Sequence, residues 1–509
     1  RSQETNQSMR HNKEEFMRTM KRVAAVALSV VVLMTSGVSA KAAVTDVQPA
    51  KSSSEAVLKW AKKVGEPFDE KTYANNTVSK IKLVGNYLYV ADDAKHRIMK
   101  IDKKDGTILK EQKYYDESYI QGYVSSIGYG DGKVYVGYDN GRVQAFDENT
   151  LESVWITDEN KNAINADFVF TNGKLYFGTT AKTTDWYDNG APFSYYVVTT
   201  SDDDKTKPDE EKTMKKVVES KTGKFYLKKG VVLGKYIVIS DTAGTLTMID
   251  TTNDKVTDTK DIGEAFSGNI TYDEMTGTIY FVAGTNDLYG IKVSADGKLK
   301  DEKKVRLYET GYSATTPEVY NGKVYVSGSK GKAFQDKGYM AVADVSSDKY
   351  KVNYTVELSN YSQCEPTIVK TGEDSVRVYF TINDEPGGIY AIEDSKDATS
   401  ATLETVYEPT GDIKNTGCMS NVVVDEDGTI YFANDSKYIM SVGKKVEDTT
   451  KSDAIVVKPV TKTVKSERSV KLTWEKNKSA KGYVIYAKAG KGKYKKVATV
   501  GKKTSKTIK

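Results

Sequence analysis

The side chains that most often carry out catalysis are thinly supplied in this chain of 509 residues. Histidine occurs twice, as His11 and His96. His11 lies ahead of an apolar export-like segment, so His96 alone would remain after processing. That excludes a histidine triad and a multi-histidine zinc site. His96 begins a strand in DDAKHRIMKID and reads as an exposed loop-end residue. Acidic residues number 70, far too many for the sequence to single out the carboxylate pair a glycosidase needs. DEDGT (425–429) resembles part of a calcium loop but lacks the later ligands, including the bidentate Glu. Its place before IYF makes it a hairpin turn. GKGK (490–493) lacks the long phosphate-loop pattern and reads as another turn. No catalytic, cofactor-binding or metal-ligating residue is assigned on these grounds.

Two cysteines, Cys364 and Cys418, complete the reactive inventory. They precede EPTIV and SNVVV, which read as corresponding strands of neighbouring repeat units. A bridge needs Cα atoms within about 7 Å, and the sequence leaves a disulfide and two separate, partly buried thiols both open. With Gln363, these cysteines mark one candidate binding surface. Asp202, Asp203 and Asp204 mark another, in the charged stretch SDDDKTKPDEEKTMKK (201–216), which reads as an exposed loop.

The elements that must position these residues repeat. GDGKVYVGYDNGRVQAFD (130–147) has relatives at 85–102, 172–186, 234–250, 276–293, 321–344, 374–394 and 427–442. Each has a Gly, Asn or Asp turn, an alternating strand such as VYV or IYF, a loop, and a second alternating strand often ending in Asp (Asp102, Asp147, Asp250, Asp344). Period-two alternation means half-buried antiparallel strands. A further strand precedes each turn (TPEVY, EPTIV, SNVVV), and another follows each Asp (LESVW, KVRLY, YTVEL). Four-stranded units about forty to sixty residues apart are the mark of a β-propeller. The terminal Asp residues are expected to accept turn hydrogen bonds. The last unit lacks its fourth strand, and EAVLKWAKKVG (55–65) reads as that strand. It would close the ring and cover an open edge. Trp60 and Trp155, in comparable outer strands, are expected to pack between blades.

LKWAKKVG (58–65), GKVYVGYDNGRVQAFDENTLESVW (132–155), TPEVYNGKVYVSG (316–328) and EPGGIYAIED (385–394) resemble the PQQ-like, or quinoprotein-like, β-propeller family, in the form found in secreted Firmicutes proteins. The resemblance implies eight blades over roughly 55–443. It also implies two kinds of relative: enzymes with a quinone, a calcium ion, a catalytic aspartate and often two adjacent cysteines, and outer-membrane assembly scaffolds that bind protein segments. The cysteines here are not adjacent, and no position matches the catalytic aspartate motif. No cofactor is expected.

Lys21 and Arg22 precede VAAVALSVVVLM and then TSGVSA, the pattern of a secretory signal cut after Ala40. The expected organisation is therefore a signal with upstream residues (1–40), a linker (41–54), the propeller (55–443) closed by the strand at 55–64, a second linker (444–455), and a C-terminal module (456–509). There SVKLTW (469–474), with Trp474 as a core residue, GYVIYAK and YKKVATV resemble the first part of a fibronectin type III domain. The chain thus reads as all-β: an eight-bladed β-propeller of four-stranded antiparallel blades with an incomplete fibronectin type III-like β-sandwich. The formal net charge of +5 is dispersed among mixed signs, which argues against nucleic acid. No membrane span is expected after signal removal. The expected role is non-catalytic binding or scaffolding, secreted or at the surface of a Gram-positive bacterium, with a surface protein or glycan as partner. A quinone-dependent dehydrogenase, a carbohydrate-active enzyme and a structural spacer are the alternatives.

Overall fold

The computed structural model describes residues 48–64, 78–115, 127–165, 167–182, 190–203, 206, 209–225, 228–266, 268–331, 336–445, 460–466, 469–476, 482–487 and 495–508. The expected signal segment, its cut after Ala40, and Asp204 lie outside these residues. The chain divides into one unit ending at Lys444 and another beginning at Lys445.

The first unit is an eight-bladed β-propeller of four-stranded antiparallel sheets. Blade 6 shows the plan, with strands Glu318–Tyr320, Lys323–Ser329, Gly338–Asp344 and Lys351–Leu358. Its second strand is buried throughout, whereas its fourth alternates between buried and exposed positions. The middle strands are covered on both faces by neighbouring blades and so read as apolar runs. The first hairpin turns at Asn321 (φ 50°) and Gly322 (φ 79°). Two successive positive φ values suit the right-handed twist of the paired strands, and Asn-Gly adopts them at least cost.

The ring closes as the sequence predicts. Ala56–Lys63 pairs antiparallel with Tyr438–Lys444, from Ala56 opposite Lys444 to Lys63 opposite Tyr438. Trp60 on this strand donates its indole N–H to the Lys103 carbonyl of blade 1 at 3.1 Å. Its ring lies so close to Gly106 that a Cβ there would stand 2.7 Å from it. The preceding segment is also engaged. Arg377 and Tyr379 of blade 7 donate to the carbonyls of Lys51 and Ala50 at 2.8 and 3.2 Å. The first described residues of the chain therefore fasten two blades.

The recurring polar residues hold the blades to one another. In blade 6, Lys323 Nζ lies 3.2 and 3.0 Å from the two carboxylate oxygens of Asp394 in blade 7. Tyr325 donates its hydroxyl to the same carboxylate at 2.8 Å, and Tyr354 does so as well. Lys174 and Tyr176 of blade 3 reach Asp254 of blade 4 at 2.7 and 2.6 Å. Tyr89 of blade 1 donates to the Glu148 carbonyl of blade 2 at 2.6 Å. In blades 3 and 6 the Lys and Tyr of the G-K-x-Y pattern are thus seam residues, whereas in blade 2 Lys133 and Tyr135 bond to Asp131 and Gly130 of their own blade. The Asp residues ending third strands cap their own turns: Oδ1 of Asp102, Asp147, Asp250 and Asp344 each accepts from a backbone N–H two residues on. Asp425 in DEDGT does the same for Asp427 and Thr429.

The second unit contains two small antiparallel sheets. Ser469–Trp474 pairs with Val460–Ser466 and with Ser505–Ile508, and Tyr483–Ala487 pairs with Lys495–Val500. Trp474 is buried and meets Tyr483 edge-on at 5.4 Å between ring centroids. This is a small sandwich-like extension. Among the described residues of the whole chain, no helix is long and apolar enough to cross a membrane.

Candidate functional site

Two regions break the repeat. The first is the charged stretch between the third and fourth strands of blade 3, Phe193–Thr199 and Lys215–Ser220. It is more structured than the solvated loop read from its composition. Glu210–Lys212 crosses to blade 2 and pairs parallel with its outer strand Ser153–Thr157. Trp155 on that strand is fully buried, donates to the Thr200 carbonyl at 3.3 Å, and lies under the Lys212 ammonium. The crossing roofs a polar cleft of about 330 Å³ lined by Lys174, Asp203, Glu210, Lys212, Lys215 and Asp254, among others. Asp203 pairs with Lys212 at 3.0 Å, and Lys174 and Lys215 share Asp254 at 2.7 and 2.9 Å. Asp203 is exposed, while Asp202 is half-buried.

The second expected surface is corrected. Gln363 is half-buried, but Cys364 and Cys418 are fully enclosed and cannot present a binding face. Both are free thiols, so the disulfide left open by the sequence is not formed. Blade register explains them. Glu318, Thr367 and Val423 are equivalent, each opposite the tyrosine of its second strand. Cys364 then occupies the slot of Thr315, and Cys418 that of Ser313. Thr315 and Ser313 donate to the Ser327 carbonyl at 2.9 and 2.6 Å. Cys418 donates to the corresponding Ala433 carbonyl at 3.5 Å. The cysteines fill hydroxyl positions of the repeat. Burial pushes both thiols above the usual cysteine range, so neither is an activated nucleophile.

The same register exposes a cluster that the sequence reading passed over. Lys82 of blade 1 and Glu318 of blade 6 occupy one innermost-strand position, opposite Tyr89 and Tyr325. Two residues earlier, seven of the eight blades place described residues around the axis: Lys80, Asp167, Lys229, Asn269, Thr316, Glu365 and Asn421. Lys80 pairs with Asp167 at 3.9 Å, and Lys229 pairs with Glu365 at 3.4 Å. The second pair joins blade 4 to blade 7 and therefore crosses the bore. Its partners keep 35% and 24% side-chain exposure, so the bore remains open to them.

Electrostatics divides the two glutamates. Burial, the Glu365 charge and a hydrogen bond to Glu365 raise Glu318 well above the usual carboxylate range. Burial also pushes Glu365 upward, but the Lys229 charge, the hydrogen bond with Glu318 and Lys80 outweigh it and hold Glu365 at about 2. Of the two, Glu318 is the carboxyl that takes up a proton first. Burial and Lys229 lower Lys82. The available signal was a charge on an innermost strand where other blades carry Val, Thr or Gly. It becomes visible only after the units are aligned by hydrogen-bond register.

No family model and no curated protein matches the chain. Solved structures do. BamB from Moraxella catarrhalis matches with a TM-score of 0.50 at 13% identity, covering 76% of this chain and 98% of that one. A quinohemoprotein alcohol dehydrogenase from Pseudomonas putida matches with a TM-score of 0.53 at 11% identity, covering 78% of each chain. Another from Comamonas testosteroni matches with a TM-score of 0.53 at 9% identity, covering 77% and 76%. The fold is shared. Identities this low carry nothing about activity.

The axial residues do not fit a quinone cofactor. A flat tricyclic group needs an unobstructed slot, and here Lys229 and Glu365 span the bore. The cysteines are occupied inside the sheets rather than facing the axis. A glycosidase pair fits no better. Its two carboxyls stand about 5 Å or more apart to flank the scissile bond, whereas Glu318 and Glu365 are hydrogen-bonded to each other.

Proposed function

We propose that this protein is a non-catalytic binding or scaffold protein, exported to the surface of a Gram-positive bacterium, that grips a surface protein or glycan through loops at the propeller rim. The observation supporting this reading is the blade 3 insertion. It departs from the repeat, ties two blades together by the Glu210–Lys212 strand, and roofs a polar cleft. The cleft carboxylates Asp203 and Asp254 are engaged by lysines. It offers fixed hydrogen-bonding groups on a rigid frame, which suits recognition better than proton transfer. The C-terminal unit, read as fibronectin-like from SVKLTW and GYVIYAK, would serve as a spacer or second contact.

A glycan array with analysis of released products tests this reading. The expected result is retention of a ligand class without turnover. Replacing residues 203–211 with a short Gly-Ser turn should abolish retention. Release of shortened glycans would instead support a carbohydrate-active enzyme. A new absorbance band on titration with the quinone and calcium would support the dehydrogenase reading.

A further inference from the structure

We propose that the bore of the propeller, lined by Lys80, Lys82, Asp167, Lys229, Glu318 and Glu365, binds a small zwitterion of the α-amino-acid class.

The inference rests on hydrogen-bonding capacity that the protein leaves unused on both sides of one cluster. Among the described residues, no hydrogen bond reaches Lys82 Nζ, Lys80 Nζ has an ion pair at 3.9 Å, and Lys229 Nζ has a contact at 3.4 Å. Three ammonium groups converge here with nearly all their N–H bonds unsaturated. Lys82 and Lys229 are close enough to repel each other. An anionic group placed between them would relieve that repulsion.

On the acceptor side, Asp167 and Glu318 are 7% and 1% exposed, and each keeps a carboxyl oxygen without a partner, Oδ1 and Oε2. A buried oxygen without a donor costs roughly 1–3 kcal/mol. Such a cost falls away when a donor reaches the oxygen. A simple anion would satisfy the lysines and leave these oxygens empty. A simple cation would do the reverse and add to the lysine repulsion. A molecule carrying a carboxylate and an ammonium a few bonds apart satisfies both. The Lys229–Glu365 pair crosses the bore, which favours a small ligand over an extended one.

The cluster is also set apart from the seams, where the same Lys, Tyr and Asp types recur in blades 3 and 6. Its charges occupy equivalent positions around the axis without repeating, which is what a site requires and a scaffold does not.

The test uses the full chain. Each of the twenty standard amino acids is screened at millimolar concentration by thermal shift, and any hit is measured by titration calorimetry. Acetate and methylammonium are run separately at matched concentration. The expected result is one-to-one binding of at least one amino acid, with no comparable binding of either half-ligand. Lys82→Met and Glu318→Gln should each weaken binding at least tenfold while preserving the circular-dichroism spectrum and a cooperative melt. The proposal is overturned if no amino acid binds, if acetate or methylammonium binds equally well, or if affinity survives both substitutions. Glycan or protein capture through the blade 3 insertion should be unaffected in both variants, so the two functional readings fail independently.

Discussion

The seams between blades and the bore at their centre use the same side chains for opposite ends. At the blade 6–7 seam, Lys323, Tyr325 and Tyr354 converge on Asp394, and every group is paired at short range. In the bore, Lys80 and Lys229 stand 3.9 and 3.4 Å from their partners, Lys82 has no hydrogen bond among the described residues, and Glu318 keeps a bare oxygen. Polar groups that recur and are saturated serve architecture. Polar groups that break the repeat and are unsaturated mark where a ligand can act.

The strongest way to break this comparison is to open the ring itself. A chain beginning after residue 64 loses the closing strand and the fastening to blade 7, and it bares the Tyr438–Lys444 edge. It should lose its cooperative melt and elute as aggregates in size-exclusion chromatography. A monomeric, cooperatively folded product would show that closure is dispensable. Next in size, Asp394→Ala should cost about 3–5 kcal/mol in urea unfolding, because Lys323 is left as a buried, uncompensated cation. A cost below about 1 kcal/mol would place that seam among the inconsequential ion pairs.

The bore responds to pH with opposing signs. Glu318 has a raised folded pKa, so its contribution to stability is complete below the unfolded value of 4.5 and is lost as pH rises through the folded value. Glu365 is held at about 2, so its contribution is present above 4.5 and is lost as pH falls from 4.5 towards 2. Glu318→Gln removes the first of these. Relative to the parent, it should gain stability by up to ~1.4 kcal/mol per pH unit above 4.5, until the folded value is reached. Parallel stability–pH curves for parent and variant would contradict a raised Glu318. The smallest effect is expected at the cysteines. Cys364→Ser and Cys418→Ser place hydroxyls where other blades already have them and should each shift stability by no more than ~1 kcal/mol. In the parent, both thiols should resist a thiol reagent until the protein unfolds.

Much of the fold was legible because each unit states its structure locally. Asn321-Gly322 demands positive φ, VYV alternates with period two, and Asp344 caps the turn that follows it. The closing strand was legible because a unit with three strands needs a fourth, and LKWAKK had no other unit to join. The insertion was misread as a loop because a three-residue parallel strand, Glu210–Lys212, carries no periodicity of its own and is defined by its partner in blade 2. Cys364 and Cys418 were placed at the right strand entries but on the wrong side of the surface, since composition does not say that Thr315 and Ser313 hold the same slots in blade 6.

The sequence by itself determined the eight repeating units with their strands and turns, because these depend on neighbours a few positions apart, and the strand that seals the ring, because one unit lacked a fourth. Only the tertiary structure decided that Lys229 meets Glu365 across the bore, 136 residues away in the chain, and that Glu318 beside it is raised above the usual carboxylate range. Those facts arise when a closed ring brings first strands from distant repeats to one axis, where burial and charge act through space rather than along the chain.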